Sequence, residues 1–300
     1  MRVEVLDLNF LDRKGLIRAF LLRNGDSAAL VETGPATGLE SLMRGLEERG
    51  VAPRDVRQVF LTHIHLDHAG ASGTLAELLP DATFYVHEVG APHMIDPSRL
   101  LKSAGRIYGE NMEALWGEVR PLPEDRLVRL KGGERLEAAG GEVVAHYTPG
   151  HAYHHLVYHE PESGAMFTGD VGGVRMPAAA YVRPPIVPPE FDPEAWQESI
   201  RKIREISPSS LWLTHGGEFA DVERHLNQLE DRLRSWVEFV ELRLKEGMDE
   251  EEILADLREY GDAELAELGA DEETRQSYEF ASAYWIAVSG LMRYFSRKGR

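Results

Sequence analysis

Leu61-Thr62-His63-Ile64-His65-Leu66-Asp67-His68-Ala69-Gly70 carries three histidines and an aspartate within six residues. The apolar run Val56–Thr62 before it reads as a strand that ends on His63. His63 and His65 stand two residues apart, so both can face one side of an extended chain. Asp67 and His68 are adjacent, so the chain must turn there, and Ala69-Gly70 add little bulk. Such a turn can gather four donors around two neighbouring metal ions. Imidazole and carboxylate are the donors zinc takes where thiolate is lacking, and the chain has no cysteine. That absence also excludes disulfides, iron–sulfur clusters and a cysteine nucleophile.

Three further stretches repeat the pattern of a donor placed just after a strand, in a turn that holds glycine. Thr148-Pro149-Gly150-His151 follows the β-prone run Val143–Tyr147. Thr168-Gly169-Asp170 follows Ala165–Phe167. Thr214-His215-Gly216-Gly217 follows Leu211–Leu213. Each is a weak signal alone. Together with the first motif they supply enough donors for two metal sites, on strand ends that are rigid yet open.

The remaining sequence frames these motifs. Early strands at Val3–Leu8, Ile17–Arg23 and Ala28–Val31 lead to a helix over Gly38–Gly50. Residues 90–120 recur at three-to-four spacing and read as a helical insertion. Residues 172–193 are proline-rich and read as a long irregular loop. From Asp221 onward the pattern is helical throughout. The expected organisation is a catalytic domain over 1–220 and a C-terminal helical region over 221–300. In the closing helix, Tyr278, Ala281, Trp285, Val288, Met292 and Phe295 form a narrow seam. It suits packing on neighbouring helices or a homodimer through the C-terminal helices.

The chain has 300 residues with 51 acidic and 33 basic side chains, a formal charge of −18. Half of that excess lies beyond residue 220. A surface so acidic argues against nucleic acid or anionic lipid as partner. No apolar run is long enough to span a membrane, and Met1–Phe20 lacks the apolar core of a signal peptide. A cytoplasmic protein with a small-molecule substrate is the expectation.

The motifs HIHLDH at 63–68, TPGH at 148–151, TGD at 168–170 and THGG at 214–217 resemble those of the metallo-β-lactamase-fold hydrolase superfamily. An aspartate at 170 brings the chain nearest the glyoxalase II and lactonase-like branch. The resemblance covers about residues 1–220. It implies an α/β fold, a four-layer αβ/βα sandwich, here with a C-terminal helical extension. It also implies that His63, His65 and His151 hold one metal, that Asp67, His68 and His215 hold a second, and that Asp170 bridges them. Two zinc ions, or alternatively iron or manganese, would then lower the pKa of water to about 7 and provide a metal-bound hydroxide. Asp67 would be the catalytic residue that holds this nucleophile. The implied reaction is hydrolysis of a small ester, thioester or lactone. Alternatives are a mononuclear iron persulfide dioxygenase, a nuclease, or a metal-binding module without catalysis.

Several residues fall outside the ligand set. Glu32-Thr33-Gly34 stands where the family has Asp-Thr-Gly, so Glu32 is expected to support the ligands rather than join them. His155, four residues after His151, is expected to orient ligands by hydrogen bonding. His154 is expected to be a bystander. Tyr108, Met112 and Trp116 of the insertion are expected to form an apolar wall over the site. Arg175, Tyr181 and Arg183 in the proline-rich loop are candidates for substrate contact, since arginine can grip a carboxylate or phosphate.

Overall fold

The computed structural model describes residues 1–299. Twelve strands form two six-stranded sheets. The first sheet contains β1 (Arg2–Asp7), β2 (Arg18–Asn24), β3 (Ser27–Val31), β4 (Val56–Phe60), β5 (Thr83–His87) and β6 (Leu127–Leu130), in that spatial order. Its first three strands are antiparallel, and β3 to β6 run parallel. The second sheet contains β7 (Arg135–Ala138), β8 (Gly141–Tyr147), β9 (Leu156–Glu160), β10 (Ala165–Phe167), β11 (Ser210–Leu213) and β12 (Gly217–Phe219). Only β10 and β11 pair in parallel there.

Side chains alternate between two buried faces along the central strands, which is why these runs are almost wholly apolar. Phe20 and Leu22 of β2, Val31 of β3 and Phe60 of β4 meet Leu156 and Tyr158 of β9, Phe167 of β10 and Trp212 of β11 between the sheets. Their neighbours Ala19, Leu21, Leu30 and Val59 face outward onto a helical layer. Val157, Met166, Leu211 and Leu213 do the same on the far side. The result is the expected four-layer sandwich.

The helices are α1 (Leu39–Glu48), α2 (Leu66–Ala69), α3 (Ser72–Leu78), α4 (Ala91–Ile95), α5 (Ser98–Tyr108), α6 (Met112–Trp116), α7 (Pro193–Ile206), α8 (Val222–Glu246), α9 (Glu250–Glu267), α10 (Glu272–Ala281) and α11 (Tyr284–Lys298). Proline at the first position of α7 and the Asp192 carboxylate, which accepts from Ala195 N at 3.0 Å, fix where that helix starts. The insertion expected over 90–120 is the three short helices α4 to α6. The C-terminal helices do not build a core of their own. Leu226, Leu229, Trp236, Val288 and Leu291 share one apolar cluster with Leu211 and Trp196 of the second half of the sandwich. The seam expected on one closing helix is broken at Ser282–Ala283, with Tyr278 on α10 and Val288 on α11 both buried within the chain while Trp285 is exposed. No helix among the described residues is long and apolar enough to cross a membrane.

Candidate metal centre

All seven donor residues converge at one edge of the sandwich, from the C-terminal ends of strands in both sheets. His63 and His65 follow β4, and Asp67 and His68 ride on α2. His151 follows β8, Asp170 follows β10 and His215 follows β11. Two glycines permit this approach. Gly150 has φ 133° and packs its backbone against that of Trp196, where any side chain would collide. Gly169 has φ 47° and lies against Thr62 and His155, so the residue before Asp170 has no room for a Cβ.

The donors form two groups that share Asp170. One comprises His63, His65, His151 and Asp170, the other Asp67, His68, Asp170 and His215. In the first, His63 Nε2 and His151 Nε2 each lie 2.9 Å from His65 Nδ1, and His151 Nε2 lies 3.4 Å from Asp170 Oδ2. In the second, His68 Nε2 is 3.1 Å from Asp170 Oδ1, and His215 Nε2 is 3.3 Å from Asp67 Oδ2. His68 Nε2, His215 Nε2 and Asp170 Oδ1 are buried without a hydrogen-bond partner. Buried polar atoms are seldom left so. Their convergence on one space, with imidazole and carboxylate only, fits a pair of metal ions.

The opposite ring nitrogens of four of the five donor histidines are tied down. His151 Nδ1 donates to Pro185 O at 2.7 Å, and His215 Nδ1 donates to Leu16 O at 2.7 Å. His68 Nδ1 donates to Glu32 Oε1 at 3.1 Å. His63 Nδ1 lies 3.0 Å from Thr62 Oγ1, and that hydroxyl donates to the same Glu32 carboxylate. These bonds fix the ring orientations so that the remaining nitrogens point inward. Glu32 is fully buried and adopts φ 68°, so it stands behind the donors.

Electrostatics follow from crowding. Burial and the neighbouring imidazoles hold His63 well below the ordinary histidine range. Burial acts against charge on His68 too, but Asp170, Asp67 and Glu32 overcome it and raise that ring well above the ordinary range. Burial alone would raise Asp67, yet His68 and His215 bring it down to about 2. The carboxylates are therefore ionised, the state a ligand requires.

His155 is buried behind His63, with its ring stacked 4.9 Å away. It lies 3.1 Å from Thr148 Oγ1 through Nδ1 and accepts from Val171 N at 3.3 Å through Nε2, so it braces the two motif turns. His154 is no bystander by position. It is buried, borders the same space as His65, and lies 3.6 Å from Glu190. The signal for it was only its place beside His155.

A cavity of about 790 Å³ opens from the donors. Tyr108 and Trp116 line it as expected, with Phe10 stacked on Trp116 at 5.7 Å. Met112 does not line it; Leu100, Ile107 and Leu115 take that part. Phe280 and Trp285 reach it from the α10–α11 junction, an apolar contribution the motif reading missed.

Arg175, Tyr181 and Arg183 do not line this cavity, which corrects their expected role in substrate contact. Arg175 is paired with Asp221 at 2.7 and 3.1 Å and lies over the Phe219 ring. Tyr181 is fully buried and donates to Glu264 at 3.2 Å. Arg183 is fully buried and donates to Ser282 O and Tyr284 Oη. A buried guanidinium needs such partners, and here they fasten the loop to the C-terminal helices.

A metallo-beta-lactamase fold-containing protein of Sulfurisphaera tokodaii is 28% identical over 178 residues, 57% of this chain and 65% of that protein. A hydroxyacylglutathione hydrolase of Synechococcus is 31% identical over 151 residues, 50% of this chain and 47% of the hydrolase. The chain thus spans 65% and 47% of the length of these curated relatives. The crystal structure of a metallo-beta-lactamase family protein from Thermus thermophilus shares the fold over 99% of this chain and 94% of its own, with a TM-score of 0.72 at 22% identity. The sequence model of the metallo-beta-lactamase superfamily matches residues 13–215, the stretch that contributes every donor described above, and the chain belongs to that superfamily.

Proposed function

We propose that this chain is a metal-dependent hydrolase of an ester, thioester or lactone, with a dinuclear centre. The observation that carries this reading is the pair of donor groups joined at Asp170 and open to one cavity. Metal ions held by His63, His65 and His151 and by Asp67, His68 and His215 would supply a water-derived nucleophile at neutral pH and polarise the scissile carbonyl.

The chain's own groups do the rest. The side chain of Asp67 is 22% exposed, the most open donor carboxylate, and as an anion it accepts a hydrogen bond from the attacking water. That bond aims a lone pair at the acyl carbon. The water oxygen bonds to that carbon, the bond to the leaving oxygen or sulfur breaks, and the leaving atom takes a proton. Trp116, Phe10 and Leu100 shield the reacting carbon from bulk water.

Stripping the protein with a chelator and reloading it with zinc, iron(II) or manganese tests the proposal. The expected result is two bound ions per chain and turnover of thioesters or lactones. One bound iron with oxygen uptake on glutathione persulfide would replace it with a dioxygenase. Cleavage of phosphodiesters alone would make it a nuclease. Metal without turnover would make it a binding module.

A further inference from the structure

The cavity is large for a short acyl group. At about 790 Å³ it falls in the upper part of the roughly 300–1,000 Å³ range that holds drug-sized ligands. The insertion contributes Leu100, Ile107 and Trp116, and the α10–α11 junction contributes Phe280, Trp285 and Ile286. Phe280 and Trp285 are 50% and 40% exposed. Large apolar groups left in water beside a reactive centre fit an apolar ligand.

Charge at the same cavity is uneven. Glu190 faces His154 at 3.6 Å, and Glu279 faces Arg258 at 3.3 Å and Arg183 at 3.7 Å. Glu279 is therefore matched by arginine, while Glu190 accepts from Tyr153 N at 3.0 Å and faces a His154 ring that burial holds well below the ordinary histidine range. Arg99 also lines the cavity, is exposed, and enters no ion pair among the described residues. It opens a basic stripe. α5 carries Arg99, Lys102 and Arg106 and no acidic residue. Steps of three and four residues place all three on one face, beside the face that sends Leu100, Ala104 and Ile107 into the cavity. The other helix with basic but no acidic residues, α11, ties Lys298 to Glu194 and Arg297 to Phe191 O and leaves Arg293 exposed, but none of these three lines the cavity. In a chain of charge −18, an unpaired basic stripe at a cavity edge is a local attractor for anions.

We infer that the substrate joins a long apolar acyl group, held in this cavity, to a phosphate-bearing thiol whose phosphates rest on Arg99, Lys102 and Arg106. An acyl thioester of a nucleotide thiol such as coenzyme A has both parts. The inference rests on the hydrolase reading above and specifies its substrate. Water oxygen bonds to the acyl carbon, the C–S bond breaks with its electron pair on sulfur, and the thiolate takes a proton. The products are a carboxylic acid and a free thiol, with no change of oxidation state. Paired N–H donors from arginine match phosphate oxygens.

Binding of a non-hydrolysable dodecyl-coenzyme A thioether, measured by calorimetry, tests the inference without requiring turnover. The protein is expected to bind it at least tenfold more tightly than dodecyl-pantetheine, which lacks phosphate, and than ethyl-coenzyme A. The triple substitution Arg99→Glu, Lys102→Glu, Arg106→Glu should weaken the dodecyl-coenzyme A complex at least tenfold and leave dodecyl-pantetheine unchanged. Equal binding of the ligands with and without phosphate, or unchanged affinity after charge reversal, overturns the phosphate contact. Equal binding of ethyl and dodecyl ligands overturns the acyl site. Failure of the hydrolase reading shows separately, as absence of turnover by the metal-loaded protein on every thioester, ester and lactone while these affinities persist.

Discussion

Glu32 accepts a hydrogen bond from His68 Nδ1 at 3.1 Å, and the opposite nitrogen of that ring faces Asp170 Oδ1 at 3.1 Å. Through Thr62 the same carboxylate also holds His63. One buried side chain thus orients a donor in each of the two groups. Glu32→Ala is expected to weaken metal binding by about 10–100-fold, the usual effect of losing such support. Glu32→Gln should lose less, because its amide oxygen can still accept. Equilibrium dialysis with metal analysis reads the difference, and unchanged affinity in the alanine variant would remove the orienting role.

Asp170 lies within 3.5 Å of His68, His151 and His215. Asp170→Ala is expected to keep the fold, as judged by circular dichroism, while bound metal and hydrolysis fall by about 100-fold or more. A metal content equal to the parent protein's would sink its assignment as the shared ligand.

Metal loading should also stabilise the protein. Ions that bind only the folded chain add about 4 kcal/mol at a thousandfold excess over Kd. For a chain of this size that raises Tm by about 6 °C. Thermal scans with and without chelator check this, and coincident curves would contradict a high-affinity centre.

Trp116 stacks on Phe10 at 5.7 Å and meets Tyr108 edge-on at 5.0 Å. Trp116→Ala should raise KM for bulky acyl substrates more than it lowers kcat. It should also cost about 3–5 kcal/mol of stability, so Trp116→Phe serves as the folded control with a smaller KM change. Equal KM in all three proteins would place the insertion outside the substrate path.

His225 is fully buried, donates to Gly172 O at 2.7 Å, and is held down to about 4 by burial. The folded state favours the neutral ring, whereas the unfolded chain takes up a proton near pH 6.5. This contribution to stability is present above about pH 6.5 and is lost as the pH falls toward 4. It amounts to about 3 kcal/mol. His225→Gln, which can still donate to Gly172, should flatten the fall in denaturation midpoint between pH 7 and 4.5. An identical slope would show that other groups carry the acid sensitivity.

The donors were legible because each lies within a few residues of a strand end, and strand periodicity is a local property. HIHLDH needs only β4 and the turn into α2 to present its side chains. β12 was missed, since three residues ending on Phe219 give no periodic signal. His154 was passed over because nothing in HAYHH ranks one histidine above its neighbour; its nearness to His65 comes from the packing of β8 and β9 on the first sheet.

The loop residues show the boundary most plainly. An arginine after Asp170 reads from sequence as available for substrate. Its fate depends on what lies opposite, and the partners are remote: Asp221 is 46 positions from Arg175, and Tyr284 is 101 positions from Arg183. The sequence by itself excluded thiolate chemistry through its composition, and its strand-end motifs, through their resemblance to the superfamily, pointed to the donors and the sandwich. Only the tertiary structure decided which side chains line the cavity and which are spent on the C-terminal helices. Burial and ion pairing are set by groups that only folding brings together.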